Sequence, residues 1–152
     1  MPATTGKRVE SRSDRPRRGI LLCYDDSTEA EHALERVAEI AATVPSRVTV
    51  VSVAEPTYQK GPFTDAADSI EAEMHSRLLE KAIWALSDHG IAAATLQPTG
   101  APATSIVDIA RQIGADLVVV GSRHRGLVRR LLFGSVSADV VADAPCDVLV
   151  VR

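Results

Sequence analysis

Short apolar runs punctuate the chain, and between them apolar positions recur at helical spacing. The first run, Ile20 to Tyr24, stops at Asp25-Asp26-Ser27. A run this short, bounded by polar turn residues, suits a strand buried on both faces. Asp26 or Ser27 can cap the next helix, with Glu29 three residues beyond Asp26. Ala30, Ala33, Leu34, Val37, Ile40 and Ala41 give that helix its apolar side, and Pro45 ends it. Residues 47–53 are β-branched and apolar and predict a second strand, and 54–63, with Pro56, Gly61 and Pro62, a loop. A long helix is predicted over 64–89, with Ile70, Met74, Leu78, Ala82 and Ala85 as its apolar stripe and Gly90 as its stop. Residues 91–97 form a weaker, alanine-rich strand. Gly100 and Pro102 lead into a helix with Ile106, Ile109, Ala110 and Ile113 inward, closed by Gly114. Leu117 to Val120 is the clearest central strand and runs into Gly121. Gly134-Ser135 opens a last helix carrying Val136, Val140 and Val141, Pro145 breaks it, and Val148 to Val151 is the fifth strand. Alternating strands and helices predict an α/β layer fold with a mainly parallel sheet and right-handed crossovers.

Composition narrows the class. A chain of 152 residues, 45% apolar and 24% charged, is one globular domain rather than two, and not a disordered polymer. Aromatic residues are 3%, so the core is built from Ala, Val, Leu and Ile, and a stacking surface for single-stranded nucleic acid is disfavoured. No apolar stretch is long enough for a transmembrane helix, so no membrane partner is expected. Cys23 and Cys146 have no pairing or zinc-ligand spacing and read as small buried hydrophobes in a reducing, cytoplasmic setting. Charge is uneven. Residues 1–18 carry Lys7, Arg8, Arg12, Arg15, Arg17 and Arg18 against Glu10 and Asp14, a net +4. Because the whole chain is −3, residues 19–152 carry −7, which opposes a broad nucleic-acid surface. Residues 1–18 are therefore expected to be a disordered basic tail, and 19–152 the domain.

Chemistry is expected at the carboxyl ends of the strands, where open parallel sheets take ligands. The segment after the fourth strand, Gly121-Ser-Arg-His-Arg-Gly126, leads to Gly134-Ser135 at a helix start. Glycine permits close backbone approach, and free amides at a helix N-terminus favour an anion. Arg123, Arg125, Arg129 and Arg130 add positive charge. The plainer alternative is a glycine-rich turn with a solvated basic loop. Gly121 and Gly126 have P-loop spacing, but Leu127 and Val128 stand where Lys and Ser/Thr are required, which excludes that motif. Asp25 can accept hydrogen bonds from a ribose or an adenine, or simply cap the next helix. The Asp25-Asp26 pair also fits a phosphoacceptor receiver, but that class needs an aspartate near 97–100 and a late lysine, and Gln97-Pro-Thr-Gly100 and Arg152 supply neither. His32, His75 and His89 read as solvated residues on helices, without metal-ligand spacing. No nucleophile has a base at a recognisable spacing, so an efficient enzyme is not supported.

The motifs together resemble the universal stress protein (UspA) family. The carriers are Gly100-Ala-Pro-Ala-Thr-Ser-Ile-Val-Asp-Ile-Ala110, Ala115-Asp-Leu-Val-Val-Val-Gly-Ser122, Gly134-Ser-Val-Ser137 and Ala144-Pro-Cys-Asp-Val-Leu-Val-Val151. Ile20-Leu-Leu-Cys-Tyr-Asp-Asp-Ser27 is similar to the family's first strand and its Asp-Gly-Ser turn, with Asp26 at the usual glycine. The resemblance covers 19–152. It implies a five-stranded, adenine nucleotide alpha hydrolase-like (Rossmann-like) sheet in the order 3-2-1-4-5 between helices, and a homodimer through the last strand. It also implies ATP, with Mg²⁺ on its phosphates, bound through Gly-x2-Gly-x9-Gly-(Ser/Thr). Gly121, Gly134 and Ser135 match that motif in register, and His124 stands at its second glycine. By the same resemblance Asp25 holds the nucleoside, the Val53 backbone meets adenine, Val120 and Val136 flank the matched glycines, and Arg123 lies in the loop. The expected function is adenine-nucleotide binding by a regulatory stress-response protein, with at most slow ATP hydrolysis. The alternative is a homodimeric interaction protein that binds no nucleotide because of His124.

Overall fold

The structure, a computed structural model, describes residues 17–56, 64–122 and 136–152. The elements are β1 (Arg18–Cys23), α1 (Thr28–Thr43), β2 (Ser46–Val51), α2 (Thr64–Asp88), β3 (Ala93–Leu96), α3 (Pro102–Ile113), β4 (Leu117–Gly121), α4 (Val136–Asp143) and β5 (Asp147–Val151). The strands form one sheet in the order β3-β2-β1-β4-β5, as expected. Every pairing is parallel, with Leu22 beside Val50 on one side and Val119 on the other.

Alternation along β1 sorts the core into two layers. Ile20 and Leu22 face α1 and α2, joining Ala33, Leu34, Val37, Leu79, Ala82 and Leu86. Leu21 and Cys23 face the opposite way, packing with Ile106, Ile109, Ala110 and Val140 of α3 and α4. With both faces covered, β1 and β4 are almost wholly apolar. A reciprocal pair ties β1 to the approach to β4: Gly19 N–H donates to Asp116 Oδ2 (2.7 Å), and Asp116 N–H to the Gly19 carbonyl (2.8 Å). Gly114 closes α3 in the left-handed region at φ 61°, its N–H reaching the Ala110 and Arg111 carbonyls.

The stripe expected on α2 is out of phase at its start. Ile70 is 70% and Met74 51% exposed, and the buried line is His75, Leu79, Ala82 and Leu86. The reason is phase: at about 100° per residue, His75, Leu79, Ala82 and Leu86 share the inward side of α2, and Met74 and Ile70 stand more than a quarter-turn away from it on the solvent side. Among the described residues no helix is long and apolar enough to cross a membrane.

Candidate functional site

Beyond β1 the chain turns through Asp25, Asp26 and Ser27 into α1. Ser27, rather than Asp26, is the N-cap: its Oγ accepts the Ala30 N–H (3.2 Å). Asp25 Oδ1 in turn accepts both the Ser27 Oγ–H (2.6 Å) and the Ser27 N–H (3.1 Å). The aspartate assigned to the nucleoside is thus held at the carboxyl edge by the residue that starts the helix. Asp26 occupies φ 62°, and among the described residues it is the non-glycine with positive φ. For an L-residue that conformation costs roughly 1–2 kcal/mol, which explains the family's glycine here. The Asp26 carboxylate pairs with Lys81 of α2. Lys81 also meets Glu31 of α1 (2.6 Å), and Glu31 accepts the Tyr24 hydroxyl (2.6 Å). Hydrogen bonds to Asp26 and then Glu31 push the Lys81 pKa up, while burial, followed by the Glu31 bond, raises that of Tyr24.

Gly121 ends β4 directly against this turn. A Cβ there would lie 2.7 Å from the Glu29 carbonyl carbon and 2.9 Å from Ala30 N. The glycine expected to admit a phosphate therefore first admits the opening turn of α1. Val120, just before it, is buried toward α3 and α4, so only its main chain can face a ligand.

Val53 lies past β2 on an extension that continues the sheet's edge. Ser52 N–H donates to the Leu96 carbonyl (3.1 Å), Ala54 N–H to the Pro98 carbonyl (3.0 Å), and Gly100 N–H to the Ala54 carbonyl (2.9 Å). Val53 is partly buried against the α3 side. Val136 opens α4 and is partly exposed. Asp25, Val53, Gly121 and Val136 thus stand at the ends of neighbouring elements on one rim of the sheet. Arg123, His124, Gly134 and Ser135 lie outside the described residues.

His75 corrects the sequence reading. It is buried, not solvated, and its Nδ1 lies 2.7 Å from the hydroxyl of Ser52, which is itself buried. Its Nε2 faces Glu71 at 3.9 Å, and Glu71 accepts the Glu55 N–H (3.0 Å). Sequence reasoning missed this strut because the two partners are 23 residues apart and the phase of α2 decides whether they meet. It pins the 52–55 extension, and therefore Val53, from the α2 side. Cys23 is buried, and burial followed by the charge of Asp25 pushes its thiol up to about 12. Cys146 is raised by burial and then by Asp147 and Asp116. Both cysteines are free thiols.

Elsewhere, a groove of about 280 Å³ between α3 and α4 is lined by Asp108, Asp139 and Asp143 with Arg111. Its excess of carboxylates suits no phosphate. Among the described residues no three acidic, histidine or cysteine side chains gather into a metal site.

A parallel sheet whose crossovers diverge between β1 and β4 defines the α/β proteins that take ligands at the carboxyl rim. The signature of the Universal stress protein family matches residues 16–152. A universal stress protein of Synechocystis sp. is 36% identical over 132 residues, covering 87% of this chain and 83% of its own. Among solved structures, the universal stress protein UspA of Lactobacillus plantarum superposes with TM-score 0.76 at 26% identity, over 91% of this chain and all of that one. A universal stress protein of Archaeoglobus fulgidus in complex with dAMP superposes with TM-score 0.66 at 25% identity, over 90% and 98% of the two chains. The chain belongs to the universal stress protein family, and its fold is adenine nucleotide alpha hydrolase-like.

Proposed function

We propose that this protein is a regulatory, cytoplasmic stress-response protein that binds an adenine nucleotide, ATP in the first instance, at the rim formed by the ends of β1, β2 and β4. The observation that carries the reading is the fixed turn at Asp25, presented where β1 and β4 part. The dAMP bound by the Archaeoglobus relative supports it. Asp25 holds the nucleoside and the backbone at Val53 meets the base. The main chain at Gly121, with Arg123, His124, Gly134, Ser135 and Val136, receives the phosphates. Mg²⁺, a hard cation that takes oxygen ligands, would be held chiefly by the nucleotide's own phosphates and would offset their charge. Occupancy changes the surface at this rim and so what partners read. The basic residues ahead of β1 are an extension outside the domain, whose boundary falls before 19, because Arg18 is already paired with Ser46 in the sheet.

Calorimetric titration of ATP tests this directly. Wild type binds, and Asp25→Ala and Ser135→Ala weaken it at least tenfold. A blank across millimolar nucleotide with folded protein overturns the reading. Recovery of binding in His124→Gly would then support the nucleotide-free alternative. The same proposal includes a homodimer through β5, because this apolar strand is a sheet edge with Val150 36% exposed. Sedimentation at tens of micromolar shows a dimer that Val150→Lys dissociates, and a monomeric wild type refutes it.

A further inference from the structure

We propose that Lys81 is a positioning residue of the nucleotide rim: by holding the Asp26 carboxylate it keeps the 25–27 turn in the backbone conformation that presents Asp25. The inference rests on the adenine-nucleotide reading above and adds to it a residue from α2, which lies outside the rim.

Three observations converge. Asp26 sits at φ 62° with a Cβ that resists it. The bonds inside the turn link Asp25 to Ser27 and Ser27 to Ala30. The partner that engages the Asp26 side chain comes instead from Lys81, 55 residues away. Lys81 is itself anchored by Glu31, which holds the hydroxyl of the buried Tyr24, so β1, α1 and α2 meet at one ammonium group. A second effect follows from charge. Asp25, Asp26, Glu29 and Glu31 fall within seven consecutive residues, and Lys81, bonded to two of them, offsets one of these four negative charges before an anionic ligand arrives.

The size of the effect follows from population. Without Lys81, the left-handed turn competes with right-handed alternatives, and apparent affinity scales with the fraction still competent. The pair is half-exposed, and losing such a contact tilts the turn's equilibrium, and with it the apparent affinity, by about two- to fivefold.

The experiment separates geometry from charge and both from the function itself. ATP affinity is measured by calorimetry for wild type, Lys81→Met, Lys81→Met/Asp26→Gly and Lys81→Met/Asp26→Ala. Backbone chemical shifts of Ser27 and Thr28, which report the turn's dihedral angles, are recorded without nucleotide on the same four proteins. Lys81→Met weakens ATP by about two- to fivefold and moves the shifts. Asp26→Gly, which removes the charge and tolerates positive φ, restores both. Asp26→Ala, which removes the same charge but keeps the Cβ, restores neither. Equal rescue by Ala and Gly overturns the proposal in favour of charge alone, as does a Lys81→Met protein unchanged in both readouts. If wild type binds no ATP, the nucleotide reading falls, while the shifts still decide whether Lys81 sets the turn.

Discussion

Replacing Gly121 by alanine is the sharpest perturbation the structure offers. The new methyl carbon would lie 2.7–2.9 Å from main-chain atoms of Glu29 and Ala30 and from Glu29 Cβ. No flexible side-chain end can move out of the way. Normal contact begins near 3.4 Å, so the first turn of α1 must retreat by about half an ångström or more. That turn is fixed by the Ser27 cap and by Ala30, which is buried against the sheet. Forced overpacking of this kind costs typically 1–3 kcal/mol, and rigid backbone on both sides puts Gly121→Ala at the upper end. At the unfolding entropy of a domain this size, about 3 kcal/mol corresponds to a fall in Tm of roughly 10 °C. Gly114→Ala is the matched control. Its Cβ meets nothing within 4 Å, but φ is +61°, so only the conformational penalty applies, about 1–2 kcal/mol, or roughly 3–7 °C. Differential scanning calorimetry ranks the two variants. A Gly121→Ala protein within 2 °C of wild type, or more stable than Gly114→Ala, refutes the clamp between β4 and α1.

Removing the Ser27 hydroxyl with Ser27→Ala loses the helix cap, which is worth about 1 kcal/mol by urea denaturation, and also frees the Asp25 turn; unchanged stability would mean the cap is idle. Ser52→Ala leaves the buried His75 nitrogen without its partner and costs about 1–3 kcal/mol, whereas adding His75→Phe to it recovers part of the loss; strictly additive losses would deny the coupling. Because Cys23 titrates at about 12 against an ordinary 9.0, its thiol stays protonated in the native state while the unfolded chain ionises. Its contribution to stability is complete below pH 9 and is lost as pH rises toward 12, so Cys23→Ala shows a flatter decline over pH 9–11; identical slopes refute this. The same burial makes Cys23 unreactive toward a thiol reagent at pH 8 until the protein unfolds.

The strands were legible because the sheet is covered on both faces, which writes β1, β2, β4 and β5 as apolar runs between helical periods; their order followed from the family resemblance. Asp25 and Gly121 were legible for a related reason: they sit where those runs stop. What sequence could not carry was the rotation of α2. Ile70 and Met74 continue the spacing of Leu78 and Ala82, but the helix turns the neighbouring line through His75 and Leu79 inward instead. The His75–Ser52 and Lys81–Asp26 pairs depend on that rotation, and each joins residues distant in sequence. Gly121 was read as room for a ligand, but its nearest neighbour is the chain's own helix. Nothing in a local motif distinguishes those two reasons for a glycine.

The bonds between Gly19 and Asp116 span 97 residues, and they impose an order on synthesis. β1 leaves the ribosome first but receives its second neighbour only when β4 emerges. At about 5–20 residues per second that delay is on the order of 5–20 s. Through it, the nascent chain carries a strand destined for full burial with one side open. A stall or truncation anywhere between the end of β2 and the start of β4 prolongs that exposure, making such fragments natural clients for chaperones and seeds for aggregation.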